Sequence, residues 1–115
     1  MPTVASAVEP DLDWGPMLVT VEYSVIPEKS VEFAKAIHRY GRIRRRDGAY
    51  RWGVYRDTEA ADHYVETFLV NSWAEHLRQH ERQTQADREL EQRLRTYIVK
   101  DPEVRHLISA DAKEA

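Results

Sequence analysis

The sequence predicts an α+β domain with the element order β-α-β-β-α-β, and three observations carry that prediction. Apolar and polar residues alternate at strand period in several short segments. Apolar residues recur at three- and four-residue spacing in two longer segments, as the buried face of a helix requires. Two of the strand-like segments are separated only by TEAAD (58–62), a connection short enough to make them antiparallel neighbours.

The first strand is MLVTVEYSVI (17–26), with Val19, Val21, Tyr23 and Val25 on one face and Thr20, Glu22 and Ser24 on the other. Pro27 ends it. From about 30 to 46, Phe33, Ile37, Tyr40 and Ile43 form a helical stripe. Ser30 is placed to cap its start and Gly48 its end. The run RIRRRD (42–47) puts cations where the dipole at a helix C-terminus favours them. AYRWGVYRD (49–57) and HYVETFLVN (63–71) are the second and third strands. Ser72-x-x-Glu75 is a capping-box signature that opens the second helix at Trp73. Thr84 with Asp87 is a second such signal, so a kink or restart is expected near 82–84. Leu90, Leu94, Tyr97 and Ile98 continue the apolar stripe, Asp101 and Pro102 stop it, and EVRHLIS (103–109) is the last strand.

This order is the ferredoxin-like, split βαβ arrangement: a four-stranded antiparallel sheet with both helices on one face. The other face must display Trp52 or Tyr55, and Phe68 or Leu69, whichever set of alternate residues it takes. A patch of that kind marks an interface, and a domain of this size gains by burying more surface. The expected assembly is a homodimer formed sheet to sheet, a dimeric α+β barrel. Residues 17–109 are the domain; 1–16, with Pro2, Pro10 and Pro16 and no periodicity, read as a leader or linker, and 110–115 as a flexible tail.

Composition excludes several function classes. A net charge of −3 gives no general attraction to nucleic acid, and Arg42, Arg44, Arg45 and Arg46 lie close to Asp47, Glu59 and Asp62. The chain has no cysteine, hence no disulfide, thiolate metal site or cysteine nucleophile. No apolar run approaches the ~20 residues that cross a bilayer, and the N-terminus lacks signal-peptide features. No membrane insertion by this chain and a cytoplasmic location are expected.

Three sets of residues carry candidate chemistry. His76 and His80 share a helix face at i and i+4. Their nearest carboxylates, Glu75 and Glu81, lie off that line, and His63 and His106 are distant in sequence. A zinc site needs at least three protein ligands, so no metal is expected. Either histidine is a candidate general base or pocket residue. Trp73 either walls a pocket or anchors its helix to the sheet. Glu22 and Glu66 interrupt the two central strands. If both point away from the helices, they face the space between the sheets of a dimer. A buried carboxylate there is a candidate proton acceptor, or else half of an ion pair with Arg51, Arg56 or Arg105.

The segments VEY, RIRRRDGAYRWGVYRD, VETFLVNSWAEHLRQHER and VRHLI, in this element order, resemble the dimeric α+β-barrel superfamily that includes the antibiotic-biosynthesis monooxygenases. More specifically, they resemble the soluble domain at the C-terminus of enterobactin-exporter-like major-facilitator transporters. The resemblance covers roughly residues 15–109. It implies a domain that binds a small hydrophobic or aromatic ligand or is accessory to an exporter. The alternative it implies is a cofactor-independent monooxygenase that deprotonates a polycyclic phenol, so that the carbanion itself reduces oxygen. His80, His76 or Glu66 would be the base, and Trp52, Tyr55, Phe68 and Trp73, with Glu22, would line the cavity. Related barrels also bind and degrade haem, which requires a histidine opposite a wide apolar cleft. Only Trp73 and one of the two helix histidines have counterparts in the monooxygenase pattern.

Overall fold

A computed structural model describes residues 13–110. The elements run β1 (Met17–Ser24), α1 (Ser30–Arg46), β2 (Tyr50–Arg56), β3 (His63–Val70), α2 (Trp73–Glu81), α3 (Gln85–Arg95) and β4 (Glu103–Ile108). The sheet order is β2-β3-β1-β4, with every pairing antiparallel. This is the expected ferredoxin-like arrangement.

The alternation in β1 sorts as expected: Met17, Val19, Val21, Tyr23 and Val25 are buried beneath the helices. Register then assigns the other strands. Val19 lies opposite Phe68 and His106, and Val21 opposite Glu66 and Val104. Phe68, Glu66, His106 and Val104 therefore share the covered face. Phe33, Ile37 and Tyr40 of α1 and Leu90 and Leu94 of α3 complete the core. Phe33 wedges between Tyr23 and Tyr64, with ring centroids 5.2 and 5.1 Å away.

The helix boundaries have local causes. Pro27 starts a 3-10 turn (Pro27–Lys29) ahead of α1, so Ser30 is already inside the coil and caps nothing. Gly48 takes φ +113 just past α1, a conformation only glycine adopts freely. Ser72 Oγ accepts from the Glu75 backbone N–H at 3.1 Å, and Thr84 and Asp87 form a full reciprocal capping box. Two caps so close together divide the second helical segment into α2 and α3 at the expected restart.

In β2 the register slips by one residue between Tyr50 and Gly53, and Arg51 sits at φ +52. This bulge turns Trp52 toward the helices. The indole lies against Gly41 of α1, where a Cβ would come within 2.5 Å of the ring. The open face of the sheet therefore takes Tyr55 and Leu69, not Trp52 and Phe68. The expected leader lies mostly outside the described residues, as does most of the expected tail. Of its described end, Trp14 accepts a backbone hydrogen bond from Trp73 N–H at 3.0 Å.

Candidate functional site

A cavity of about 360 Å³ opens between the covered face of β1 and β4 and the three helices. Val19, Val21 and Val104 of the sheet and Leu94 of α3 give it apolar walls. His76 and His80 of α2, His106 of β4, and Tyr40 and Arg44 of α1 bring polar groups to it.

The histidines form a cluster. His76 Nε2 and His106 Nε2 are 2.9 Å apart, a contact in which one ring donates its single proton to the other. The His80 ring packs edge-on against His76 at 5.0 Å, and Trp73 closes the outside, 5.3 Å from His106. Burial first, and then the neighbouring His106, His80 and Arg44, push the His76 imidazolium pKa down to about 3. His80 is depressed by burial and then by Arg44, and His106 by burial. All three rings are therefore neutral at pH 7. His76 Nδ1 and Gln79 Nε2 are buried with no hydrogen-bond partner among the described residues. No three metal-ligating groups among the described residues are arranged to hold an ion.

Glu66 is fully buried and points toward the helices, so the condition under which both acids would face the space between two sheets is not met. β3 carries Glu66 on the same side as Phe68, and Val21 opposite it faces the core. Its expected partners also differ: the ion pair is with Arg44, not Arg51, Arg56 or Arg105. Arg44 Nε and Nη2 donate to its two oxygens at 2.7 and 3.1 Å. Tyr23 Oη and Trp52 Nε1 each add a hydrogen bond at 2.8 Å. Four donors on one carboxylate satisfy the buried charge. The Arg44 guanidinium is stacked on Tyr40 and Phe68, 4.6 Å from each centroid. It lies between Glu66 and the cavity, which Glu66 does not line.

Glu22 points the other way, onto the open face, where His63 Nε2 approaches it at 3.1 Å and Arg105 at 4.0 Å. The central-strand acids are neighbours in register but on opposite faces. Of the aromatic residues expected to line the cavity, none does: Trp52 is bound to Glu66, Phe68 lies in the core, Tyr55 is exposed on the open face, and Trp73 backs the histidines. Arg44, Tyr40, Tyr23 and His106 are among the lining residues that sequence reasoning missed. For His106 the signal was available, since Val104, His106 and Ile108 alternate with Glu103 and Arg105. For Arg44 it was hidden inside a basic run that the helix end already explained.

A ferredoxin-like α+β domain with a pocket between sheet and helices is the class that this fold and site define. The same fold occurs in a putative antibiotic biosynthesis monooxygenase from Caulobacter crescentus (TM-score 0.75, 16% identity, covering 87% of this chain and 94% of that one). It also occurs in SnoaB, a cofactor-independent oxygenase from Streptomyces nogalater (TM-score 0.69, 15% identity, 86% and 97%). A third instance is a conserved protein from Methanosarcina mazei (TM-score 0.71, 17% identity, 81% and 91%). At these identities the likeness establishes the fold alone. The chain belongs to the transmembrane secretion effector family, whose model matches residues 1–114. No curated protein sequence matches it. No helix among the described residues is long and apolar enough to cross a membrane.

Proposed function

We propose that this chain is a small-molecule-binding domain of the secretion effector family, cytoplasmic and homodimeric through its open sheet face, taking a small aromatic ligand in the cavity beside His76 and His80. One observation carries the reading. The cavity has apolar walls, a volume at the lower end of the range for ligand pockets, and a few polar groups that converge on it. Neutral imidazoles suit the task, because they offer a lone pair to a hydroxyl without the cost of desolvating a charge. Titration with 2-naphthol, followed by calorimetry, tests it. Wild type should bind with one site per chain, and His80→Trp, which fills the cavity, should bind at least tenfold more weakly. Absence of binding by the wild-type protein to 2-naphthol and to related one- and two-ring ligands would refute the reading.

A second reading, cofactor-independent oxidation of a polycyclic phenol, has the placement of His80 in the cavity in its favour. Its energetics are less favourable. A phenol with pKa about 10 facing a histidine below 6.5 gives a proton transfer uphill by at least ~3.5 units, or ~5 kcal/mol. His76, at about 3, is a still weaker base, and Glu66, the third candidate, is enclosed by its four donors. Oxygen consumption with an anthrone or a dihydroxynaphthalene would favour this reading if it is measurable in wild type and lost in His80→Ala. Equal rates in the two proteins would remove His80 from the mechanism.

A further inference from the structure

The deep end of the cavity combines a cation with three uncharged imidazoles and holds no carboxylate of its own. The Arg44 guanidinium uses Nε and Nη2 for Glu66 and has no other hydrogen-bond partner among the described residues, so the rest of its donors remain for a ligand. Glu66 does not cancel this from the cavity's side. It is fully buried behind the guanidinium, and Tyr23 and Trp52 occupy its remaining oxygen positions. The ion pair therefore presents its positive end to the cavity.

The charged groups on the other walls lie toward solvent. Glu91 and Arg95 of α3 and Asp101 of the following loop line the cavity, with Arg95 bound to Asp101 at 3.0 Å and near Glu91 at 3.6 Å. Asp101 is 95% exposed, so water screens this group more than it screens Arg44. Around His76 and His80 themselves stand His106 from β4, Tyr23 from β1, Tyr40 and Arg44 from α1, and Gln83 after α2. On its other side His80 shares a small hollow with Asp47, which is bound to Arg46. Gln79, from α2 itself, has an amide nitrogen that is buried and, like His76 Nδ1, without a hydrogen-bond partner among the described residues. At His80 burial and Arg44 oppose a charge, while Glu91 of α3 favours one.

We infer that the ligand of this cavity is an anion, an aromatic carboxylate or a comparably acidic aromatic compound. Its charged oxygens sit on the free N–H groups of Arg44, and its binding draws a proton onto His80. This rests on the proposed ligand-binding role and names its substrate class. An anion placed between Arg44 and His80 adds a negative charge on the side of the guanidinium that Glu66 does not reach, and beside His80 it outweighs the smaller contribution of Glu91. It also reverses the electrostatic reason for His80 to stay neutral. His80 takes the proton in preference to His76, because it is only partly buried and its ring nitrogens are not committed to His106. The apolar walls formed by Val19, Val21, Leu94 and Val104 accommodate the ring.

Calorimetric titration with 2-naphthoate and its neutral isostere 2-naphthamide, between pH 6 and 8, tests this. Naphthoate should bind about tenfold or more tightly than the amide at pH 6.5, as charge-assisted hydrogen bonds require. Its affinity should fall with rising pH, by up to about tenfold per unit, because the complex holds a proton that the free protein lacks. In His80→Gln the pH dependence should vanish while the preference for the acid remains. Arg44 alone cannot be removed safely, since that strands Glu66 in the core, so Arg44→Met is combined with Glu66→Gln. This double variant, checked for folding by circular dichroism, should lose the preference for the acid. Equal binding of acid and amide by wild type overturns the inference and leaves the pocket intact. Failure of 2-naphthol, the acid and the amide alike to bind overturns both. Naphthoate affinity that does not change with pH overturns the protonation of His80.

Discussion

Glu66 is the residue on which the interior turns. Its carboxylate and the Arg44 guanidinium are both withdrawn from water, and each is tolerable only because the other is present. Replacing Glu66 with Leu leaves a buried cation, and we expect a loss of about 3–5 kcal/mol, read from urea unfolding. The double change Glu66→Leu with Arg44→Met should recover most of that loss. If the single variant lost under 1 kcal/mol, the pair would not be holding the core. The histidines define a second residue-scale effect with a definite sign. His76 has a folded-state pKa of about 3, below its unfolded value, so the unfolded chain binds the proton first. Stability is therefore complete above about pH 6.5 and falls as pH drops toward 3, by up to ~1.4 kcal/mol per unit for this group. His80 and His106 act in the same direction. So does Asp87, whose hydrogen bonds from Arg46 hold its carboxyl below the usual range. Urea midpoints measured from pH 7 to 4 should decline steadily, and His76→Leu should flatten the slope.

The elements are joined by a few specific contacts. Gly41 lies inside α1, where glycine costs roughly 1 kcal/mol relative to alanine. It is there because Trp52 occupies the place of its side chain. Gly41→Ala should therefore destabilise the fold, by about 1–3 kcal/mol through overpacking, instead of stabilising the helix. A shift in tryptophan fluorescence should report displacement of the indole from Glu66. At the other end of α1, Arg46 bonds Asp47 and reaches Asp87 of the α3 capping box at 2.8 Å. The start of α3 is thus tied to the end of α1. Thr84→Ala should cost about 1 kcal/mol through the lost cap, measured by thermal unfolding.

For the whole molecule, the decisive feature is the uncovered sheet face. Register aligns Leu107, Leu18 and Leu69 in a row across three strands, and Tyr55 stands beside Val65 on the same face. Tyr55 is 63% and Leu107 45% exposed in the single chain. Burying such a row against a second copy contributes about 25 cal/mol per Å² of apolar surface. We expect a dimer by light scattering at micromolar concentration. Leu107→Glu should shift it to monomer with an unchanged circular dichroism spectrum. A monomeric wild type would contradict the homodimer.

Local sequence determined the element order, the caps at Ser72 and Thr84 and the break between α2 and α3, though not the start of α1, where the turn at Pro27 takes Ser30 into the helix. Each of those depends on residues within a few positions of one another. Alternation in β1 also assigned its faces, because its large apolar residues, Leu18 apart, share one parity. In β3 it could not, since HYVETFLV places bulky residues on both parities, and an isolated acid reads naturally as pointing outward. Only the tertiary structure decided that Glu66 points inward. Its reason is Arg44, 22 residues earlier on α1, which turns out of a basic run to meet it. The meeting of His76 with His106 was likewise settled by strand register, across a separation of 30 residues. A charge in the core is acceptable only beside its counter-charge, and that partnership forms when the helix closes on the sheet.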